Sequence, residues 1–411
     1  DAGSSNDDGD NVDAGDDGAG SEIAEDSAVK DFADISEKPI EPVSEIRIDD
    51  EPAPLAALFQ EDEEPAGHRH SEECYGLTCD KEEHSHSEAC YETKEPEAPE
   101  EPEPPVDSKP AETAEDLFAA FEAGEEAIVL GSSFSVNETI AVTSDVVLDL
   151  NGQTLTWENQ KPGEGSSLFR VEAGGALTVT DSSEATETFS CQVVTSTVTG
   201  VGTTEEAEET RSVDVKTGRI KATQDNGVLG HDAQNAEVIA VIGGTLCLED
   251  GIIDGNHRVR CVLAEDSGRV YVEGGAVMNG KALLVGGAQF GNGIYVRNGS
   301  LNMTGGVIAD NNANTGEWYD EYRRGGGIAL KDGSLDISGG IIANNRAGVG
   351  GGICAEGGSG SITINGEAVI AENTSSLYSW GGGIAANGSY QVTVGEDALI
   401  SRNSAKSGGG G

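Results

Sequence analysis

The sequence predicts an all-β solenoid built from stacked three-strand coils, with a capping helix at its N-terminal end and a largely disordered acidic tail before it. A recurrent motif is the first observation: GGGI occurs at 325, 350 and 381, GNGI at 291 and GGGG at 408. The intervals lie between the mid-twenties and the mid-thirties, which is the length of one structural coil. Short alternating apolar segments separated by Gly and Asn are the second observation, and they exclude helices of useful length. The abrupt change of composition near residue 110 is the third.

The N-terminal part of the chain is acidic and rich in Pro. We predict a disordered tail over 1–66, a His/Cys module over 67–93 and a Pro/Glu-rich linker over 94–110, because these segments bury too little apolar surface to offset the entropy of ordering. The formal net charge of -51 disfavours binding to nucleic acid and to anionic membranes. No apolar run reaches the roughly 18 residues that a membrane span requires, so no membrane insertion is expected.

A capping helix is predicted where the solenoid begins, within 111–411. In the segment TAEDLFAAFEAG, Leu117, Phe118 and Phe121 form an apolar face, with Thr113 as N-cap and Gly124 as C-cap. A helix laid over the open end of a solenoid shields both the interior and the unpaired strand edges. We therefore expect this helix to cover the first coil.

Each coil shows the same internal order of residues. A short alternating strand is followed by two adjacent apolar residues and, after two intervening residues, by Asn. Stacked coils lie about 4.8 Å apart, so these Asn residues are expected to occupy a left-handed turn position and to form a hydrogen-bonded ladder. The predicted ladder residues are Asn256, Asn311, Asn345, Asn373 and Asn403. One coil departs from the rule, because Val277 and Met278 lead to Lys281.

The pattern predicts three further features of the solenoid. Between about 182 and 237 the repeat lapses into a Thr- and Glu-rich segment that contains Cys191, which predicts a long insertion without an assigned role. Cys247 and Cys354 lie in strand-like segments and are expected to be buried. The chain stops at Gly411 inside a repeat, so we expect the native protein to continue with further coils.

Four segments of the chain resemble a known family of repeat proteins. They are ISGGIIANNRAGVGGGI (337–353) and ISRNSAKSGGGG (400–411), with TAEDLFAAFEAGEEAIVL and DVVLDLNGQTLTW at the start of the domain. The sequence resembles the right-handed parallel β-helix of the pectate-lyase-like superfamily, and more narrowly the repeat-bearing surface proteins and adhesins of Gram-positive and related bacteria. This resemblance implies a secreted, monomeric protein at the cell surface or cell wall. It also implies a glycan or a host or bacterial surface protein as partner.

The segment GHRHSEECYGLTCDKEEHSHSEACY contains two copies of H-x-H-x3-C-Y. Imidazole and thiolate ligands suit zinc, and so short a segment folds only if a metal or a disulfide supplies the energy of the missing core. The candidate ligands of a structural zinc ion are His68, His70, Cys74, Cys79, His84, His86 and Cys90. A Cys74–Cys79 disulfide with solvated histidines and weak opportunistic metal binding are the alternatives. The module is similar to small His/Cys repeats in the stalks of large bacterial surface proteins.

Aromatic residues are few and gather in two loops that precede GGGI motifs. The candidate ligand-binding residues there are Trp318, Tyr319, Tyr322, Tyr378 and Trp380, with Arg323 and Arg324 adding positive charge suited to an acidic glycan. If the coils stack in register, the loops lie two rungs, or roughly 10 Å, apart and bound a notch for a sugar or a protein. The alternative is that these rings fold back over the coil edge.

We do not expect an enzyme, although relatives of this fold cleave acidic polysaccharides. The fragments RIK (219–221), GHD (230–232) and DGNH (254–257) are similar to parts of the polygalacturonase site. Their order is wrong, and the paired Asp motif that would supply general acid and base is missing. The predicted function is therefore an adhesive or ligand-presenting scaffold, with a polysaccharide-degrading enzyme and a ligand-free spacer as alternatives.

Overall fold

The structure is a computed structural model that describes residues 110–158, 166–200, 203–223, 236–281, 289–312, 323–376, 380–406 and 408–410. The predicted acidic tail, the His/Cys module and all but the last residue of the Pro/Glu-rich linker lie outside the described residues.

Three parallel sheets form the solenoid, and each full coil adds one strand to each sheet. The first sheet consists of β1 (Ala127–Val129), β4 (Asp145–Asp149), β7 (Ala176–Thr180), β12 (Thr245–Leu248), β15 (Arg269–Val272), β19 (Ser300–Met303), β23 (Gly333–Ile337), β27 (Ser359–Ile364) and β31 (Ser389–Val394). The second consists of β2 (Phe134–Val136), β5 (Thr154–Trp157), β10 (Arg219–Ala222), β13 (Ile252–Asp254), β16 (Ala276–Met278), β20 (Val307–Ala309), β24 (Ile341–Ala343), β28 (Val369–Ala371) and β32 (Leu399–Ser401). The third consists of β3 (Ile140–Val142), β6 (Ser167–Glu172), β11 (Glu237–Ile242), β14 (Arg260–Glu265), β18 (Ile294–Arg297), β22 (Ile328–Lys331), β26 (Ile353–Ala355) and β30 (Ile384–Ala386).

Shorter strands extend the coils at the corner between the second and third sheets. β17 (Gln289–Phe290) pairs with β21 (Arg323–Arg324), and β25 (Arg346–Ala347), β29 (Thr374–Ser375) and β33 (Ser404–Ala405) form another small ladder. Two longer strands, β8 (Thr186–Gly200) and β9 (Thr203–Lys216), pair antiparallel in a hairpin outside the coils.

The interior of the solenoid is apolar and in strict register. Leu301 pairs with Leu335, and Leu335 pairs with Ile362, so like side chains stack on like from one rung to the next. All three are buried, and they belong to one continuous core. Stacking of alternate side chains in this way is what the period-2 pattern predicted, and the predicted all-β, β-helix solenoid is confirmed.

The helix α1 (Ala114–Ala123) begins and ends where the sequence indicated. The Thr113 hydroxyl accepts a hydrogen bond from the Asp116 amide at 3.2 Å, and Gly124 closes the helix at φ 71°. Leu117 is fully buried, and the Phe121 ring lies 5.8 Å from the ring of Phe169 in the third sheet. The helix therefore packs its apolar face on the solenoid core.

The Asn ladder is present over four consecutive coils. The side-chain amide nitrogen of Asn311 donates to Oδ1 of Asn345, that of Asn345 to Asn373 and that of Asn373 to Asn403, each at 3.0 Å. The same amide nitrogens donate to carbonyls of the preceding coil, as Asn345 does to Ile308 at 2.8 Å. The predicted hydrogen-bonded ladder is thus confirmed for these four residues.

The predicted left-handed conformation was placed one residue too late. In these coils the positive φ falls on the residue before each ladder Asn, at Asp310, Asn344, Glu372 and Arg402. The left-handed residue turns the chain, and the next residue then directs its amide along the solenoid axis. Asn256 differs again, because it has a φ of 49° and donates to the carbonyl of Ala222, outside the ladder.

The ladder ends at the coil that lacks the Asn. Gly280 occupies the ladder position there, and not Lys281 as predicted, because the pair equivalent to Val307 and Ile308 is Ala276 and Val277. The backbone N–H of Gly280 donates to Oδ1 of Asn311 at 2.8 Å. The Cys261 thiol lies 3.8 Å from the same oxygen and is fully buried. The backbone bond is also made by the ladder residues themselves, as by the Asn311 amide to Asn345, so the thiol alone takes the place of the missing side-chain amide.

The predicted insertion contains the β8–β9 hairpin. The segment Arg219–Ala222 also lies within the predicted insertion of 182–237, but it forms β10 of the second sheet, which pairs with β5 and β13. Two carboxylates fix the base of the hairpin, since Asp181 accepts a hydrogen bond from the Gly218 amide at 2.5 Å and Asp250 one from the Lys216 amide at 3.1 Å.

The hairpin lies lengthwise on the outer face of the second sheet. That face is apolar, with Ile252, Ala276, Met278, Val307, Ala309, Ile341, Ala343, Val369 and Ala371 all buried. Cys191, Val193 and Val215 of the hairpin pack on them. Near β32 the Val194 amide donates to the Ser401 hydroxyl at 2.9 Å, and Arg402 pairs with Glu208.

A buried ion pair joins two neighbouring coils, between the first residues of β11 and β14 in the third sheet. Nη1 of Arg260 lies 3.3 Å from Oε2 of Glu237, and both side chains are less than 5% exposed. Arg260 also donates to the carbonyls of Phe290 and Gly291, and its guanidinium lies 5.1 Å from the Tyr295 ring centroid. Burial raises the pKa of Glu237 to about 7.

We expect Arg260→Met to reduce stability in a pH-dependent manner. At pH 8 Glu237 is ionised, so the variant buries an unpaired carboxylate and loses about 3 kcal/mol of unfolding free energy. At pH 5 Glu237 is protonated and the loss is smaller. In the parent protein the raised pKa makes the contribution of Glu237 to stability decline as pH rises from 4.5 through about 7. The variant extends this decline to higher pH, because Arg260 no longer lowers the pKa of Glu237. Urea unfolding at both pH values, with Arg211→Met of an exposed ion pair as control, checks it. An equal loss at both pH values would contradict it.

Candidate functional site

A polar groove runs along the solenoid at the turns between the third and the first sheet. It has a volume of about 940 Å³ and crosses four successive coils. Its lining is Ser267, Arg269, Asn298, Gly299, Ser300, Asp332, Gly333, Ser334, Ser359, Gly360 and Ser361. The groove is open, and hydroxyl groups dominate its walls.

Strand register aligns the serine hydroxyls. Ser300 pairs with Ser334 and Ser334 with Ser361, while Arg269 lies one rung before them in the same column. Outward side chains of neighbouring parallel rungs lie about 4.8 Å apart, so the three hydroxyls form a row parallel to the solenoid axis. A row of this kind can donate and accept hydrogen bonds along an extended polar ligand.

Glycines form the floor of the groove because the turns stack closely. A Cβ atom on Gly360 would lie 1.8 Å from the carbonyl oxygen of Gly333, and one on Gly333 would lie 2.9 Å from that of Gly299. No side chain fits at Gly360, so this column holds glycines. Because glycines have no side chains, a groove remains beside the serine row. The close stacking thus creates the groove.

Tyr390 lies at one end of the groove. Its hydroxyl accepts a hydrogen bond from the Asp332 amide at 2.9 Å, and its ring lies against Gly360. Asp332 in turn accepts one from the Ser359 amide at 3.1 Å. Burial raises the pKa of Tyr390, so the phenol stays protonated at neutral pH. Arg269 and Asp332 balance each other, which leaves the lining close to neutral in a strongly acidic chain.

The predicted aromatic surface is only partly described by the structure. Trp318, Tyr319, Tyr322 and Tyr378 lie outside the described residues. Trp380 is 66% exposed and directly precedes the Gly381 turn into β30. It therefore lies at the opposite end of a third-sheet strand from the groove, and the two surfaces are distinct.

The positive charge expected beside this surface needs correction. Arg323 is buried at 6% exposure, because it belongs to β21, which pairs with β17 inside the corner of the coil. Arg324 forms an ion pair with Glu356. These two residues therefore do not offer the exposed positive charge on which an acidic glycan was predicted to bind.

Two of the three fragments that resembled parts of a hydrolase site, RIK and DGNH, take part in ion pairs and hydrogen bonds of the fold. Asp254 of the DGNH fragment pairs with Arg219 at 2.6 Å and accepts hydrogen bonds from the Asn256 amide and the Asn279 side chain. Arg219 also pairs with Glu187 at the base of the hairpin. The GHD fragment lies outside the described residues.

One group of side chains of the metal-ligating type occurs among the described residues. The ligand atoms of Cys247, Glu249 and Glu273 lie within 4.8 Å of one another on the outside of the first sheet. Burial, with Glu273 and Glu249 adding to it, raises the pKa of Cys247 to about 12, so a cation must displace the thiol proton. Cys247 was expected to be buried, but it points outward and is half-buried, whereas Cys354 is buried as predicted. The seven predicted zinc ligands lie outside the described residues.

Comparison with known proteins yields no match: no family model, no curated protein and no solved structure is similar to the chain. In the part of the chain that the structure describes, none of the helices has the length and apolar character that crossing a membrane requires.

Proposed function

We propose that this protein is a secreted, cell-surface bacterial scaffold that binds a neutral glycan in the polar groove between the third and the first sheet. The observation that carries the proposal is the aligned row of Ser300, Ser334 and Ser361 over a glycine floor. A polyhydroxylated ligand matches such a row because each sugar hydroxyl can both donate and accept. Extended chains suit a groove that runs over several rungs.

Electrostatics favours a neutral ligand over an acidic one. The chain carries a net charge of -51, and Arg269 is balanced by Asp332 in the lining. Strongly anionic polymers are repelled by such a field. Tyr390 supports sugar binding at the end of the groove, since an amphipathic ring with a polar tip suits a ligand with both apolar and hydroxylated faces.

The test compares glycan-array binding of the parent with a triple variant, Ser300→Leu, Ser334→Leu and Ser361→Leu. Loss of three hydrogen-bonding groups, each contributing about 0.5 to 1.5 kcal/mol, lowers affinity for a bound neutral glycan at least about tenfold. Thr363→Leu with Thr393→Leu is the matched control, because both residues face outward on the same sheet and neither lines the groove.

Equal binding by the parent and the triple variant would contradict a groove site, and loss of binding in Trp380→Ala or Trp318→Ala would place the ligand on the aromatic loops. Release of reducing or unsaturated ends from uronate polymers would support the enzyme alternative. Absence of any glycan or protein ligand would support a spacer.

Zinc belongs to this proposal as a structural ion of the N-terminal His/Cys module. We expect near-stoichiometric zinc by elemental mass spectrometry in the full chain, and its loss in a Cys74→Ser, Cys79→Ser, Cys90→Ser variant. Cys247→Ser is the matched control, because it removes the thiol of the group on the first sheet and leaves the module intact. Loss of zinc in the Cys247→Ser variant, with zinc retained in the triple variant, would contradict the assignment to the module.

A further inference from the structure

The β8–β9 hairpin touches coils that are far from it in sequence. At its base Glu187 pairs with Arg219 of β10, and further along Val194 bonds to Ser401 of β32. Between these points Cys191, Val193 and Val215 share one buried apolar cluster with outward side chains of β13, β16, β20, β24 and β28. A single element therefore contacts successive rungs along much of the solenoid.

The outer face of the second sheet, on which the hairpin packs, carries columns of larger and smaller apolar side chains. Over β20, β24 and β28 one outward column carries Val307, Ile341 and Val369, and the next column carries only Ala309, Ala343 and Ala371. In β16 the order of sizes is reversed, because Ala276 lies in the first column and Met278 in the second. The small residues leave a channel beside the larger ones. Hairpin residues Cys191 and Val193 are 2% and 0% exposed there, so the channel is filled.

Between Phe189 and Val193 the hairpin is apolar on the side that meets this face. Phe189, Cys191 and Val193 alternate on the inner side of β8, whereas the residues of β9 from Thr203 to Ser212 are exposed. Outward residues such as Ser190 are polar and exposed. The pattern is that of a ribbon with one packed side and one solvated side.

In an ordinary solenoid each coil contacts only its neighbours, so stability is a sum of local terms and coils can open one at a time. A ribbon bound to many coils changes this. Opening a distant coil exposes apolar surface on both the coil and the ribbon, and a two-stranded ribbon without support is marginally stable in water.

We propose that the β8–β9 hairpin is a lengthwise strap that couples the coils between β10 and β32. The stability of the C-terminal coils then depends on contacts with hairpin residues that lie far earlier in the chain, as Val194 lies 207 residues before Ser401. The strap keeps the ligand-presenting solenoid from unravelling coil by coil. This role does not depend on which ligand the groove binds.

Hydrogen–deuterium exchange of the full chain tests the strap. Val193→Lys places a charge between the hairpin and the sheet, and Ser190→Lys places the same charge on the solvated side of the same strand. We expect exchange at Val369–Ala371 and Leu399–Ser401 to accelerate about tenfold or more in Val193→Lys and to stay unchanged in Ser190→Lys. Val193→Ala, a milder change, produces a smaller acceleration in the same segments.

Two results would overturn the proposal. Faster exchange confined to β7 and β10, which flank the hairpin in sequence, would show that the coils respond only locally. Equal effects of Val193→Lys and Ser190→Lys would show that the packed side of the hairpin does not stabilise distant coils. If Val193→Lys fails to fold, Val193→Ala against Ser190→Ala gives the same comparison.

Discussion

Asn345→Ala is expected to lower the free energy of unfolding by about 3 to 5 kcal/mol. The side-chain amide of Asn345 is fully buried and makes four hydrogen bonds. It donates to the carbonyl of Ile308 and to Asn373, and it accepts from the backbone and side-chain nitrogens of Asn311. Truncation leaves these partners buried without their bonds. Chemical denaturation followed by circular dichroism measures the loss.

An exposed asparagine provides the comparison for this variant. Asn387 is exposed in the turn after β30, and its backbone amide bonds to the carbonyl of Ala355 irrespective of the side chain. Asn387→Ala should change stability by no more than about 0.5 kcal/mol. A loss of similar size in both variants would show that the ladder adds nothing particular to stability.

Gly280→Asn is expected to destabilise the protein by about 3 kcal/mol or more, although it restores the Asn of the repeat. A Cβ atom on Gly280 would lie 1.9 Å from the carbonyl oxygen of Asn292 and 2.8 Å from Oδ1 of Asn311. The backbone must move to admit the side chain, which breaks the bond from the Gly280 amide to Asn311. Thermal and chemical unfolding report the effect.

Ser338→Asn serves as the control that introduces the same side chain, since Ser338 is exposed and its backbone bond to Met303 does not require its own side chain. We expect a change within about 0.5 kcal/mol. Greater stability in Gly280→Asn than in the parent would mean that the consensus of the repeat, and not the packing of this coil, sets the ladder.

The solenoid was predictable from the sequence because its determinants are local and repeated. Paired apolar residues such as Ile341 and Ile342 supply one inward and one outward side chain, and the following Asn345 closes the turn. The cap was predictable for the same reason, since Thr113 and Gly124 are local signals. The position of the left-handed residue was not, because Asp310 and Glu372 adopt it without any common residue type.

The hairpin and the groove depend on contacts that no local pattern contains. In segments such as Ile341–Ala343 the sequence does not show why the outward residues are apolar. The structure explains it, because these residues share one buried cluster with Cys191, Val193 and Val215 of the hairpin. The groove was missed, along with Arg269 and Tyr390. Its signal was the Ser that follows Gly in NGS, DGS and GSGS, which becomes a row only when register aligns Ser300 with Ser334.

The burial of Arg323 shows that charged residues in a sequence do not by themselves predict a charged surface. Two adjacent arginines next to an aromatic loop suggested a basic surface, yet strand pairing of β21 places Arg323 inside the corner and Arg324 against Glu356. Ion pairing across rungs is set by register, and the register of a two-residue strand is not readable from composition.

The most direct measurement of the proposed function is a deuterium-exchange footprint of the full chain with the neutral glycan that binds best on the array. A ligand in the groove slows exchange at the turn amides 298–300, 332–334 and 359–361, and leaves the segment after Trp380 unchanged. Slowing confined to the Trp380 segment, or no neutral glycan bound at all, would contradict the account.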